Sequence, residues 1–75
     1  MEYNMIFVLG YDLLHDQLVQ SDLSCDEAYG VCVDVYNAFL ESEYATQNTS
    51  EYDALSQYIA EHEGEVERLI EVNGR

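Results

Sequence analysis

Four side chains carry the donor atoms that a tetrahedral zinc site uses: Cys25, Cys32, His15 and His62. Such sites start from a close chelating pair of the CxxC or HxxxH kind. Here the two cysteines stand seven residues apart and neither histidine lies close to the other, so no chelate is seeded. The expectation is two small buried thiols and a His62 half-buried in a helix seam, with no metal bound. On one helix, a rise of about 1.5 Å per residue would hold the thiols about 10 Å apart, beyond disulfide reach.

Catalysis finds little to work with. Cys25 at a helix start is the nearest thing to a nucleophile, yet 16 Asp and Glu against two Arg and no Lys raise thiol pKa values. No glycine-rich phosphate loop is present, and the acids lack the alternation and central glycine of a calcium-binding loop. Paired carboxylates occur, but 75 residues leave little room for a substrate pocket beside a core. The reading is a protein that is not an enzyme and takes no cofactor.

What stands out is how the carboxylates are arranged. Glu63, Glu67 and Glu71 recur every fourth residue, with Glu61 and Glu65 as a second row beside them. Asp12 and Asp16 repeat the spacing near the N-terminus. Asp34 and Glu41 share a polar face in the middle of the chain, with Asp26 and Glu27 added at its start. On a helix, carboxylates so spaced stand about 6 Å apart along the axis and destabilise it by about 0.2–0.5 kcal/mol per pair. An ordinary solvated face interleaves lysine; this one does not, and the formal charge is −14. A folded chain of this length is about 30 Å across, a span over which B-DNA carries about 17 charges.

Uncompensated rows of this kind suit a partner rich in Lys and Arg, above all a site built to hold nucleic-acid phosphates. The expected binding residues are therefore Glu61, Glu63, Glu65, Glu67, Glu71, Asp34, Glu41, Asp12 and Asp16, with Tyr44 and Tyr58 as exposed aromatic anchors. Nucleic acid and anionic membranes would be repelled, so neither is a direct partner. In charge and size the chain resembles the small acidic DNA-mimic inhibitors that phages use against restriction or CRISPR systems. That resemblance rests on general character, with no motif, and transfers no site.

The elements that must position these acids follow from periodicity. Tyr52, Leu55, Ile59, His62, Val66 and Leu69 form one stripe, predicting a helix over 51–72 capped from Asn48, Thr49 or Ser50 and stopped at Asn73-Gly74. Gly64 inside it marks a place for a bend. Ser24-Cys25-Asp26-Glu27 is a capping box, and Cys25, Ala28, Tyr29, Cys32, Val35, Tyr36, Phe39 and Leu40 continue as an apolar face over 25–44. Phe7, Tyr11, Leu14 and Leu18 give a helix over 4–20. The continuous apolar run Met5 to Leu9 also fits a short strand at 3–9, which would make the fold α+β.

The expected architecture is thus an all-α, compact three-helix bundle forming a single acidic domain over 1–75. Unpaired thiols and the absence of a charged segment before Met5 point to a soluble cytoplasmic protein, in host cytoplasm if phage-encoded. The apolar stripes are wide enough for a homodimer. Two other readings compete: a helical interaction or structural module without mimicry, and a carrier-type domain. The acyl carrier proteins present an Asp-Ser-Leu attachment site, where this chain has Ser21-Asp22-Leu23.

Overall fold

Residues 2–20 resolve in favour of helix. In a computed structural model, which describes the backbone of residues 2–47 and 49–74 and the side chains from residue 8 within those ranges, α1 spans Glu2–Gln20 without interruption. A strand at 3–9 would lack a neighbour to pair with, since no strand occurs among the described residues. Of the apolar residues on α1, Leu14 and Leu18 are buried and Tyr11 half-buried, while Val8 stays 62% exposed. Phe7 lies outside the described side chains. The helix closes on Asp22, whose φ of 55° is left-handed, a conformation that Asp tolerates better than most residues.

The second helix, α2 (Cys25–Leu40), opens on the expected capping box: the Ser24 hydroxyl accepts from the Glu27 amide, and the Glu27 carboxylate accepts from the Ser24 amide. It is the axis of the fold, with α1 packed on one side and the last helix on the other. Being covered from two directions, it buries a wider arc than one stripe, so Val31 joins Ala28, Cys32, Val35 and Phe39 in the core. Two expectations fail at its ends, where nothing covers the side chains. Cys25 is exposed, so only Cys32 is a buried thiol, and Leu40 is 49% exposed.

Two glycines make the close packing on α2 feasible. A Cβ on Gly10 would lie 2.9 Å from Cys32 Cβ and 3.0 Å from its Sγ, so α1 can settle on α2 only without one. At Gly30 a Cβ would come 2.4 Å from Asn73 Oδ1, where the end of the last helix docks.

Helix α2 ends at Leu40, short of the expected 44. The Ser42 hydroxyl donates to the Phe39 carbonyl (2.6 Å) and accepts from the Tyr44 amide (3.3 Å), a local exchange that competes with helix continuation. A 3₁₀ turn, Glu43–Thr46, follows.

The expected third helix is in fact two, α3 (Glu51–Glu61) and α4 (Glu63–Asn73), which makes four α-helices among the described residues where the sequence suggested three. Ser50 caps α3 by accepting from the Asp53 amide. The break falls at His62, two residues before Gly64, which lies in ordinary helix with nothing near the place of a Cβ. The histidine ring explains the position. Its Nδ1 lies 2.9 Å from the Tyr58 carbonyl oxygen, the acceptor that the residue 62 amide would use in a continuing helix. A carbonyl only accepts, so Nδ1 carries the proton. The displaced amide of His62 donates one residue closer, to the Ile59 carbonyl, and the backbone leaves the helix with φ −131° and ψ 43°.

Leu14, Leu18, the α2 face, Ala54, Leu55, Tyr58, Ile59, Val66 and Ile70 form one contiguous core. The radius of gyration is 11.5 Å and the extents are 35 × 28 × 19 Å, close to the size expected from chain length.

Candidate functional site

Because there is no lysine, the acids that need a partner find hydroxyls and carboxamides. Three tyrosines reach across elements to carboxylates: Tyr52 to Asp12 (2.9 Å), Tyr36 to Glu51 and Tyr44 to Glu61. Each pair joins segments far apart in sequence, so each ties α3 to another part of the fold. A tyrosine hydroxyl donates without cancelling the negative charge, which separates these contacts from salt bridges.

The electrostatics follow. The hydrogen bond to Glu61 pushes the Tyr44 hydroxyl above its ordinary pKa, and Asp12 does the same for Tyr52. Glu61 is held below the usual carboxylate range, first by Tyr44 and then by Gln57. Tyr58 is raised mainly by burial and secondly by Glu65.

Beneath these pairs lies an aromatic cluster. His62 stacks on Tyr58 with centroids 4.2 Å apart and planes 18° from parallel, and Tyr44 meets both rings edge-on at 5.8 and 5.7 Å. Phe39 meets Tyr58 edge-on from α2 at 6.0 Å. Tyr58 is thus a core residue and only 6% exposed; Tyr44 is half-buried, and among the described side chains the exposed tyrosine is Tyr52, at 44%.

Helix α4 carries a different kind of acid. Glu63, Glu67 and Glu71 are exposed, run along one flank, and have no hydrogen bond or ion pair among the described residues. Arg68 is engaged by Glu65 one turn earlier. Glu63 sits in the first turn of α4, where the helix dipole favours a carboxylate, but Glu71 sits in the last turn, where the dipole opposes it, and no basic residue stands there.

The other expected binding residues are dispersed. The break at His62 puts Glu61 at the end of α3 and Glu65 on α4, so they form no continuous row. Asp34 is half-buried and accepts from Asn73 Nδ2 at 2.9 Å, and Glu41 is the exposed C-cap of α2. Asp12 is taken by Tyr52, whereas Asp16 stands almost fully in solvent, 3.6 Å from His15. Asp26, Glu43 and Asp53 occupy first turns, a placement that the helix dipole accounts for by itself.

Two open grooves flank the α1–α2 connection. One, of about 540 Å³, lies between the C-terminal ends of α1 and α4 and includes Gln17, Gln20, Leu23, Glu67, Ile70 and Glu71. The other, of about 480 Å³, runs past Val19, Leu23 and Cys25. Sequence reading missed Gln17 and Gln20 because two amides on a helix carry no periodic signal. Burial pushes the Cys32 thiol up to about 11, which makes it a poor nucleophile.

Among the described residues no three His, Cys, Asp or Glu side chains are grouped so as to hold a metal ion, and no helix is long and apolar enough to cross a membrane. No protein-family model, curated protein or solved structure matches this chain.

Proposed function

We propose that this protein is an acidic inhibitor that occupies the basic DNA- or RNA-binding site of a nuclease or DNA-binding protein, its carboxylates standing where nucleic-acid phosphates would lie. The anti-CRISPR and anti-restriction inhibitors of phages are the type it fits. One observation carries this reading: the Glu63, Glu67, Glu71 row runs exposed along α4, into the end where the helix dipole opposes it, while Arg68, the one arginine among the described residues, is engaged by Glu65. Apart from the favourable place of Glu63 in the first turn, the folded chain gains nothing internally from such a row. A cationic surface gains three carboxylates on one rigid helix, about 6 Å apart along its axis.

The tyrosine pairs support the same reading in another way. They fix Asp12, Glu51 and Glu61 in place while leaving their charge intact, so the field of the protein stays negative where salt bridges would have erased it.

The test is competition. CRISPR and restriction nucleases are loaded with labelled target DNA and titrated with the protein at low and high salt. Displacement of DNA that weakens steeply with salt is expected, and a Glu63→Lys/Glu67→Lys/Glu71→Lys variant should lose it while keeping its helical circular dichroism. If no nuclease releases its DNA, or the triple variant competes as well as the wild type, the reading is overturned. Binding indifferent to salt would favour a helical interaction module.

A further inference from the structure

The groove between α1 and α4 has a charge pattern that specifies its occupant. Two helices end at it, α1 at Gln20 and α4 at Asn73, and neither has a basic residue in its last turn. Each helix C-terminus carries the equivalent of about half a negative charge. Glu67 and Glu71 of α4 and Gln17 and Gln20 of α1 line it, with apolar surface from the half-buried Leu23 and the small exposed part of Ile70. At about 540 Å³ the groove falls within the range of sites that bind small ligands, roughly 300–1,000 Å³.

The geometry points to an arginine side chain of the basic partner as the occupant, seated between Glu67 and Glu71 on α4 and Gln17 and Gln20 on α1. This rests on the inhibitor reading above and names where on the surface the partner is gripped. Arginine fits better than lysine for three reasons. Its guanidinium offers five donors in a planar fork, enough to serve a carboxylate and a carboxamide oxygen together. It is more weakly hydrated than an ammonium group, so it gives up less on entering a groove that strips part of its water. Its stem can lie along the half-buried Leu23 while the head reaches the acids. The two helix ends add attraction for any cation, and the carboxamides supply the selectivity.

The experiment is a ¹⁵N NMR titration of the full chain with acetyl-Gly-Arg-Gly-amide and with its lysine and citrulline counterparts. The arginine peptide should give saturable shifts at the side-chain amides of Gln17 and Gln20 and at the backbone amides of Leu23 and Gly74. The lysine peptide should bind at least about threefold more weakly, and the uncharged citrulline peptide should cause no saturable shift. Glu67→Gln/Glu71→Gln should weaken the arginine peptide by about tenfold while the spectrum stays dispersed.

Equal response to arginine and lysine overturns the proposal, as do shifts that follow Glu63 to Glu71 but spare Gln17 and Gln20. Either result leaves the inhibitor reading standing, since that one falls only if DNA competition fails. An Arg75→Ala variant supplies the remaining control. If this change alone reproduces, in reverse, the shifts that the peptide causes, the groove is filled by the chain's own arginine and the proposal is overturned.

Discussion

The carboxylates that meet tyrosines and the carboxylates of α4 are the same chemical group in opposite situations. Asp12, Glu51 and Glu61 are each held by a hydroxyl from another element and so contribute to joining α3 to the rest of the fold. Glu63, Glu67 and Glu71 accept from no donor among the described residues and stand one turn apart, where they repel one another. Net charge therefore says little about available charge. What separates the two sets is whether a donor from a distant part of the chain arrives, and that decides which acids belong to the architecture and which are free to meet a partner.

The comparison breaks most severely if the aromatic floor is removed. Tyr58→Ala takes out a buried ring contacted by Phe39, Tyr44 and His62, and should cost about 3–5 kcal/mol in urea unfolding, enough to unfold a domain this small. A loss under about 1 kcal/mol would mean that the tyrosine-held region is not built on the core.

Next comes pH. The pKa values of Tyr44, Tyr52 and Tyr58 are raised in the folded state, so their contribution to stability is complete below the ordinary tyrosine value of 10.0 and is lost as pH rises through the folded values. Glu61 is shifted down, so its contribution is complete above 4.5 and is lost as pH falls through its folded value. Melting followed by circular dichroism should show cooperative destabilisation above pH 10, and Tyr44→Phe/Tyr52→Phe should weaken that alkaline limb. An unchanged limb would show that those hydroxyls hold nothing.

A smaller but sharper contrast is one of sign. Glu63→Gln/Glu67→Gln/Glu71→Gln should stabilise the protein by roughly 0.4–1 kcal/mol, from two relieved i,i+4 repulsions. Asp12→Asn/Glu51→Gln/Glu61→Gln should lower the melting temperature even though it removes as much negative charge. Salt should narrow the first effect, as the Debye length falls from about 30 Å at 0.01 M to about 3 Å at 1 M. Two shifts of the same sign would dissolve the distinction between the sets. Least of all, Gly64→Ala should raise stability by at most about 1 kcal/mol, because the site is helical and its Cβ would meet nothing.

Much of this was legible in sequence, and what was not has a physical cause. Local signals were sufficient for the capping box that starts α2, the exposed row on α4 and the buried Leu14, Leu55, Ile59 and Val66. Each is decided within four residues. The break at His62 escaped because a histidine in an apolar stripe reads as one more core position, whereas its ring takes the carbonyl that the next turn needs. Glycine content pointed to Gly64, but propensity yields where a specific side chain competes for the backbone. The tyrosine pairs were invisible for another reason: their partners are 15, 17 and 40 residues away, and only the packed fold brings them together.

The contact between Gly10 and Cys32 gives the molecule a clock. Cys25 faces solvent while Cys32 lies under α1, deprotonating only near pH 11. An alkylating reagent should therefore add one mass increment at once and a second only when α1 lifts away. The interval between the two, read by mass spectrometry with no engineered label, times how often the first helix leaves its seat.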